Sequence, residues 1–286
     1  MNISDNIKYV NGRFFIDIAV SGCGSACAYC YIKDAHEKQV LIDRKDYAES
    51  IKSLIGSSYF VKGKNGSIIS LCPNTEPFKS KESTDLVKCI LETFLPIGNP
   101  IQISTKEVIP TEVLELSQDS CLFDRQVYLH ISTSCISKVN IVEPYASPIK
   151  TRFENISRIK TYNKLTSCFY IKPFSNNTYN DLDIYIEQIN YYKPDVVCVG
   201  IDFKKTSILD KPCDLLYHSK EIVEKAFDHS VASKVVFFRK KIEENTLIPV
   251  FHSSTCIISK FTNNMTNSNI ITVAPKLCTQ CGGCQF

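Results

Sequence analysis

Three cysteines near the N-terminus stand at a spacing that can do chemistry. They read Cys23-Gly-Ser-Ala-Cys27-Ala-Tyr-Cys30, a C-x3-C-x2-C run. On a loop of small residues, three thiolates can wrap three corners of a cubane iron–sulfur cluster and leave the fourth iron without a protein ligand. That open corner can chelate a small molecule. The competing reading is a zinc site with His36 nearby, although zinc usually takes paired C-x2-C units or histidines. A second run lies near the other end, Cys278-Thr-Gln-Cys281-Gly-Gly-Cys284. C-x2-C-x2-C is also an iron–sulfur spacing, and glycines let a backbone curl around a cluster. These three can hold a second 4Fe–4S cluster, with Cys256 or His252 as a fourth ligand. A zinc knot of Cys256, Cys278, Cys281 and Cys284 is the alternative.

The chain has 286 residues and 14 cysteines, of which these two runs take six. The other eight are scattered, mostly within apolar runs. The N-terminus, MNISDNIKYV, lacks a basic segment followed by an apolar one, so no signal peptide is expected and the expected compartment is the cytoplasm. In a reducing compartment cysteines bind metal, react or sit buried; they do not form a disulfide framework. No run reaches the 18 or so apolar residues that would span a bilayer. With 33 basic and 30 acidic residues the net charge is +3, which gives no electrostatic case for bulk nucleic-acid binding.

The elements that must position the cysteines follow from periodicity. From about residue 14 to 202, short runs rich in Ile, Val, Phe and Tyr alternate with helical patterns. Strands are expected at Phe14–Ser21, Ser67–Cys72, Ile101–Thr105, Val127–Thr133, Cys168–Lys172 and Val196–Ile201, buried on both faces. Helices are expected at Asp43–Ile55, Ser83–Phe94, Thr111–Leu116 (with Thr111 as N-cap), Arg152–Tyr162 and Asp181–Tyr192. Six βα repeats imply a parallel sheet, as either an open doubly wound sheet or a three-quarter barrel. In both, ligands bind at the carboxyl ends of the strands. Beyond residue 203 the pattern changes. A helix is expected at Ser219–Phe227, strand-like runs at Lys234–Phe238 and Ile248–Ile258, and then the cysteine-rich tail. Residues 203–286 read as an extension packed on a main domain of residues 1–202.

The C-x3-C-x-aromatic-C run after the first strand resembles the signature of the radical S-adenosylmethionine (SAM) enzymes. A narrower resemblance is to the spore photoproduct lyase-like branch. It rests on Tyr29-Cys30-Tyr31, Pro73-Asn74-Thr75-Glu76-Pro77-Phe78, Ser104-Thr105-Lys106 and Ile141-Val-Glu143-Pro-Tyr-Ala-Ser147-Pro, followed by Arg152. The resemblance covers most of residues 14–202. It implies an α/β fold, a partial (β/α)6 TIM barrel (the radical SAM core) with a small C-terminal cysteine-rich extension. It also implies a 4Fe–4S cluster on Cys23, Cys27 and Cys30 whose unique iron binds the amino and carboxylate groups of SAM. Reductive cleavage would then give a 5′-deoxyadenosyl radical that takes hydrogen from a substrate. Carried over residue by residue, it makes Tyr29, Tyr31, Asn74, Thr75, Glu76, Lys106, Ser132, Ser134, Glu143 and Arg152 the SAM-binding set. The Gly-Gly-Glu-like segment that many of these enzymes place on the SAM amino group is missing; Thr75 and Glu76 stand there. Lys106 can pair with the SAM carboxylate. Cys72 stands where spore photoproduct lyase keeps a hydrogen-donating cysteine, or is a small buried residue.

The expected function is a radical SAM enzyme of lyase or transferase type, acting on a nucleotide or nucleobase, a peptide or a small metabolite. Its expected partners are that substrate and an electron donor such as flavodoxin or ferredoxin. The reading from another class is a non-catalytic iron–sulfur protein that carries electrons or senses redox state.

Overall fold

The computed structural model describes residues 2–4, 6–10, 12–30, 34–200 and 229–262. Tyr31, Cys278, Cys281, Cys284 and the helix expected at Ser219–Phe227 lie outside the described residues. The chain opens with β1 (Asn2–Ser4), β2 (Ile7–Val10), β3 (Arg13–Ile16), β4 (Ala19–Ser21) and β5 (Val40–Leu41). Helix α1 (Arg44–Gly56) leads to β6 (Ile68–Leu71), α2 (Lys81–Phe94) to β7 (Ile101–Thr105), and α3 (Thr111–Ser120) to β8 (Val127–Thr133). Next come α4 (Val139–Val142), α5 (Ile149–Ile159), β9 (Leu165–Ile171), α6 (Asn176–Asn180), α7 (Leu182–Tyr192) and β10 (Val196–Val199). After residue 228 follow α8 (His229–Asn245), β11 (Val250–Phe251) and α9 (Ser254–Thr262). No helix among the described residues is long and apolar enough to cross a membrane.

Nine strands form one sheet in the order β1-β2-β3-β6-β7-β8-β9-β10-β11, with β1 and β11 at its open edges. From β3 to β11 every neighbouring pair is parallel, while β1, β2 and β3 pair antiparallel. The order never doubles back, as a doubly wound sheet must at its switch point. Seven strands run parallel where six were expected. The extra one, β11, lies in the strand-like run expected at Ile248–Ile258, outside the six expected parallel strands; it has two residues, too few to mark its bounds.

The strand expected at Phe14–Ser21 is two strands. β3 joins the main sheet, and β4 pairs with β5 in a small antiparallel sheet. The break falls at Asp17, whose N–H still reaches the Asn6 carbonyl (3.0 Å) and whose carboxylate accepts from the Asn74 backbone N–H (3.1 Å) and side-chain amide (2.7 Å). Lys234–Phe238, expected as strand-like, lies inside α8. Val235, Phe238 and Ile242 are fully buried while Val236 and Phe237 are exposed, which is helical spacing hidden in a short apolar run. Ile248–Ile258 likewise divides into β11 and the start of α9. Thr111 is the first residue of α3; Pro110 holds the cap position, and the Thr111 hydroxyl accepts from Arg158 Nη2 (3.0 Å). Other helix starts follow the local rules: Asp43 caps α1 by accepting from the Lys45 N–H, and Ser80 forms a capping box with Ser83 on α2.

The two faces of the sheet differ. One carries Phe14, Ile16, Ile69, Leu71, Ile101, Ile103, Val127, Leu129, Ile131, Phe169, Ile171, Val197 and Val199, packed against α1, α2, α3, α5 and α7. Each such buried side chain contributes about 1.5–3 kcal/mol of burial free energy. The opposite face was expected to be apolar too, as in most parallel sheets. It carries instead Arg13, Ser70, Gln102, Ser104, His130, Ser132, Thr166 and Tyr170, among Tyr128, Cys168 and Cys198. α9 covers part of this face, with Cys256, Ile257 and Ile258 against Ile68, Tyr128, Cys168, Val196, Cys198 and Phe251.

Arg13 fastens that cover. Its guanidinium donates to Ser70 and Gln102 on the sheet, and to Ser254 (3.1 Å) and Thr255 (2.6 Å) on α9. Arg13→Ala leaves these four acceptors without their shared donor, so a loss of roughly 2–3 kcal/mol is expected in urea denaturation. A loss below about 0.5 kcal/mol, the size of an ordinary surface substitution, would show that the network holds nothing in place.

Candidate functional site

The cysteine loop leaves β4 through Gly22, whose φ is +71°. A Cβ at Gly22 would lie 2.3 Å from the Lys38 carbonyl oxygen, so only glycine fits both the turn and the contact. The Gly22 N–H donates to Asp34 Oδ2 (2.9 Å), and further on the Ala26 N–H reaches the Ala35 carbonyl (3.3 Å) and the Ala28 N–H the Val142 carbonyl (2.8 Å). The loop is thus pinned on both sides, with Cys23, Cys27 and Cys30 half-buried along it. Gly22→Ala is expected to cost roughly 2 kcal/mol or more and to lower metal loading of the loop, checked by thermal denaturation and iron analysis.

Lys106 follows β7 directly. Its half-buried ammonium lies 5.8 Å from the centre of the Tyr29 ring and makes no ion pair or side-chain hydrogen bond among the described residues. Burial disfavours this charge, but Glu143, Cys27, Glu76 and Cys23 around it more than offset that and hold its pKa above the ordinary lysine value. Burial raises the Cys23 and Cys27 thiols, and the Lys106 charge opposes that rise at both.

Two buried carboxylates frame Lys106. Glu76 accepts from the Thr105 hydroxyl, the Lys106 N–H (2.9 Å) and the Phe78 N–H (3.4 Å), which ties the end of β6 to the end of β7. Burial raises its pKa against those hydrogen bonds. Glu143 accepts from the Tyr29 hydroxyl (2.6 Å), the Ser134 N–H (3.1 Å) and Arg152 Nη1. Burial would raise this carboxyl, but Lys106, Arg152 and the Tyr29 hydrogen bond hold it below its ordinary value. Arg152 also donates to the carbonyls of Ser147 (2.6 Å) and Ser132 (3.3 Å). Ser132 and Ser134 are buried at the end of β8.

Asn74 and Thr75 are engaged on Asp17, with the Thr75 hydroxyl 3.4 Å from Oδ1. Asp17 carried no sequence signal, because a lone acid inside an apolar run reads as a strand interruption. Burial pushes its pKa up to about 6. Cys72 is buried at the end of β6 with φ +54°, a conformation unusual for a residue with a side chain. Burial pushes its thiol well up. A second feature without a sequence signal is Lys79, which pairs with Glu107 (2.8 Å) beside the loop; the Ser147 hydroxyl donates to the other carboxylate oxygen.

His36 is exposed and lies 4.0 Å from Glu37. Cys256 lies on the buried side of α9, 3.6 Å from His252 Nε2, and both are buried. Among the described residues, no three His, Cys, Asp or Glu side chains converge on a point that could hold one metal ion. A zinc tetrahedron needs that convergence, with ligand bonds of about 2.0–2.3 Å to one centre. A cubane spreads its ligands over separate irons. Cys23, Cys27 and Cys30 together offer three half-buried thiols on one pinned loop, the donor number that three corners of a cubane require.

No family model matches the sequence, and no curated protein matches it. Among solved structures, one aligns over 92% of this chain with a TM-score of 0.56 and 11% identity. The fold resembles that of SuiB from Streptococcus suis. That structure holds SuiB bound to S-adenosylmethionine. SuiB bound to its precursor peptide SuiA aligns over 94% of the chain, with a TM-score of 0.56 and 13% identity. The chain spans 55% and 56% of the SuiB chains in these two structures.

Proposed function

We propose that this chain is a radical SAM enzyme that modifies a peptide. The observation that carries the reading is the pinned loop of three half-buried thiols beside an ammonium with no ion-pair partner among the described residues. The sheet, with its parallel strands in unreversed order, is read as the partial barrel of such enzymes. Cys23, Cys27 and Cys30 would hold a 4Fe–4S cluster, which when bound with SAM supplies reductive cleavage to a 5′-deoxyadenosyl radical. Lys106 receives the SAM carboxylate as a point charge. Glu143, fixed by Arg152, orients the Tyr29 ring beside the same site. Glu76, fixed by Thr105, is the acceptor for the SAM amino group.

The peptide follows from the likeness to SuiB, which binds a precursor peptide. The spore photoproduct lyase-like branch rests on the sequence segments alone. Cys278, Cys281 and Cys284, with Cys256, are read as a second cluster or a zinc knot. Metal analysis separates them: about eight irons for two cubanes, or about four irons and one zinc. Flavodoxin or ferredoxin would deliver the electron.

The test is anaerobic incubation of reconstituted protein with SAM and dithionite. The expected product is 5′-deoxyadenosine. No product, together with no SAM-induced change in the cluster's EPR spectrum, would leave the electron-carrier reading. Lys106→Ala is expected to weaken SAM binding by about tenfold or more, through loss of a charge-assisted hydrogen bond, with iron content unchanged.

A further inference from the structure

His130 lies on the polar face of the sheet, fully buried, and neither ring nitrogen has a hydrogen-bond partner among the described residues. The large majority of buried side-chain polar atoms in folded proteins are paired, so two unpaired nitrogens on one ring call for an explanation. The position supplies one. Along β8, Tyr128, His130 and Ser132 point to the same face; along β7, so do Gln102 and Ser104, with Lys106 next in the series. His130 therefore lies one layer, about 7 Å, below the layer that holds Lys106 and Ser132. The layer beneath it is closed, since the Tyr128 ring stacks on Phe261 of α9 (6.4 Å). Tyr170 stands beside His130, ring to ring at 4.9 Å. Ser104, its ladder neighbour, accepts from the Gln102 amide (3.0 Å) and keeps its own hydroxyl proton to donate.

We propose that His130, with the half-buried Ser104 and Tyr170, forms a binding site for a neutral amide of the substrate, one strand layer below Lys106 on the polar face of the sheet. This rests on the function proposed above and narrows it to a residue and a chemical class. Burial, then the nearby Arg13 charge, hold the imidazole pKa down at about 3, so the ring is neutral. A neutral imidazole offers one N–H donor and one acceptor. An amide offers the complementary carbonyl and N–H. A carboxylate has no N–H for the acceptor nitrogen, and an ammonium has no acceptor for the ring N–H.

The experiment uses the full chain and two probes of similar size, N-acetylalanine N′-methylamide and N-acetylalaninate, followed by saturation-transfer NMR. The amide is expected to bind saturably and to shift the His130 ring nitrogen signals, while the carboxylate does neither. His130→Leu should weaken amide binding at least about tenfold, and His130→Gln, which keeps a donor and an acceptor, should hold it within about threefold. Failure of the amide to bind, equal binding of the carboxylate, or unchanged binding in a folded His130→Leu protein would overturn the proposal. Formation of 5′-deoxyadenosine by the unaltered chain reports separately on the function beneath it. Product without amide binding removes the His130 site alone; amide binding without product removes the radical SAM reading and leaves the site.

Discussion

Cys27→Ala is expected to abolish 5′-deoxyadenosine formation and to remove the iron held by the loop, while the protein stays folded. Cys27 is the middle of three half-buried thiols, and its side chain is not part of the apolar core. The loop is held by backbone contacts, from the Ala26 N–H to Ala35 and from the Ala28 N–H to Val142, that the substitution leaves intact. Stability should therefore change by no more than about 1 kcal/mol. Two thiolates cannot hold three corners of a cubane, so iron should fall to whatever the C-terminal cysteines bind. Three readouts check this: iron and sulfide content, EPR after reduction, and chromatographic assay of the nucleoside. Retention of loop iron with full product formation would remove Cys27 from the cluster.

Arg152→Met is expected to give the largest loss of stability, about 3 kcal/mol at neutral pH, because it removes the direct ion-pair partner of a buried carboxylate and leaves it only the Lys106 charge and the Tyr29 and Ser134 hydrogen bonds. Arg152 is 1% exposed and Glu143 2% exposed, and they are directly paired. In the native protein the Glu143 carboxyl is held below its ordinary value. Its favourable contribution is thus present above about pH 4.5 and lost as pH falls through the lower folded value. In the variant, burial acts on Glu143 without Arg152 to oppose it, so protonation relieves the strain. The stability gap between variant and parent should narrow as pH drops from 7 toward 4. Glu143→Gln in the Arg152→Met background should recover part of the loss, since the stranded charge is gone. Denaturant titrations of the three proteins across that pH range decide it; a gap independent of pH would show that Arg152 acts through packing alone.

The strands that bracket the site were legible where their runs are long and clean. β7 and β8 fall at the expected residues, Ile101–Thr105 and Val127–Thr133. β11 falls inside the strand-like run expected at Ile248–Ile258, but its two-residue length and its place in the sheet were not legible, nor was the helix that contains Lys234–Phe238, because so short a strand and a Val-Val-Phe-Phe run carry no usable period. The site divides in the same way. Glu76, Lys106, Glu143 and Arg152 were named from the sequence, and the fold gathers them around the loop through Tyr29 and Thr105. Asp17 was not named, although it engages Asn74 and Thr75.

The sequence alone determined the local matters: the thiol spacing of Cys23, Cys27 and Cys30, the glycines that let the loop turn, and the order of parallel strands and helices. These depend on neighbours within a few residues, where spacing and propensity act directly. Only the tertiary structure decided which charges face one another. Lys106 is 37 residues from Glu143 in the chain, and Arg13 is 241 residues from Ser254, yet strand register and the packing of α9 set both relations. It also decided that one face of the sheet is polar and holds His130, whose two nitrogens have no partner among the described residues. Alternation along a strand reveals two faces, but which of them meets helices and which meets the site depends on how the whole sheet is covered.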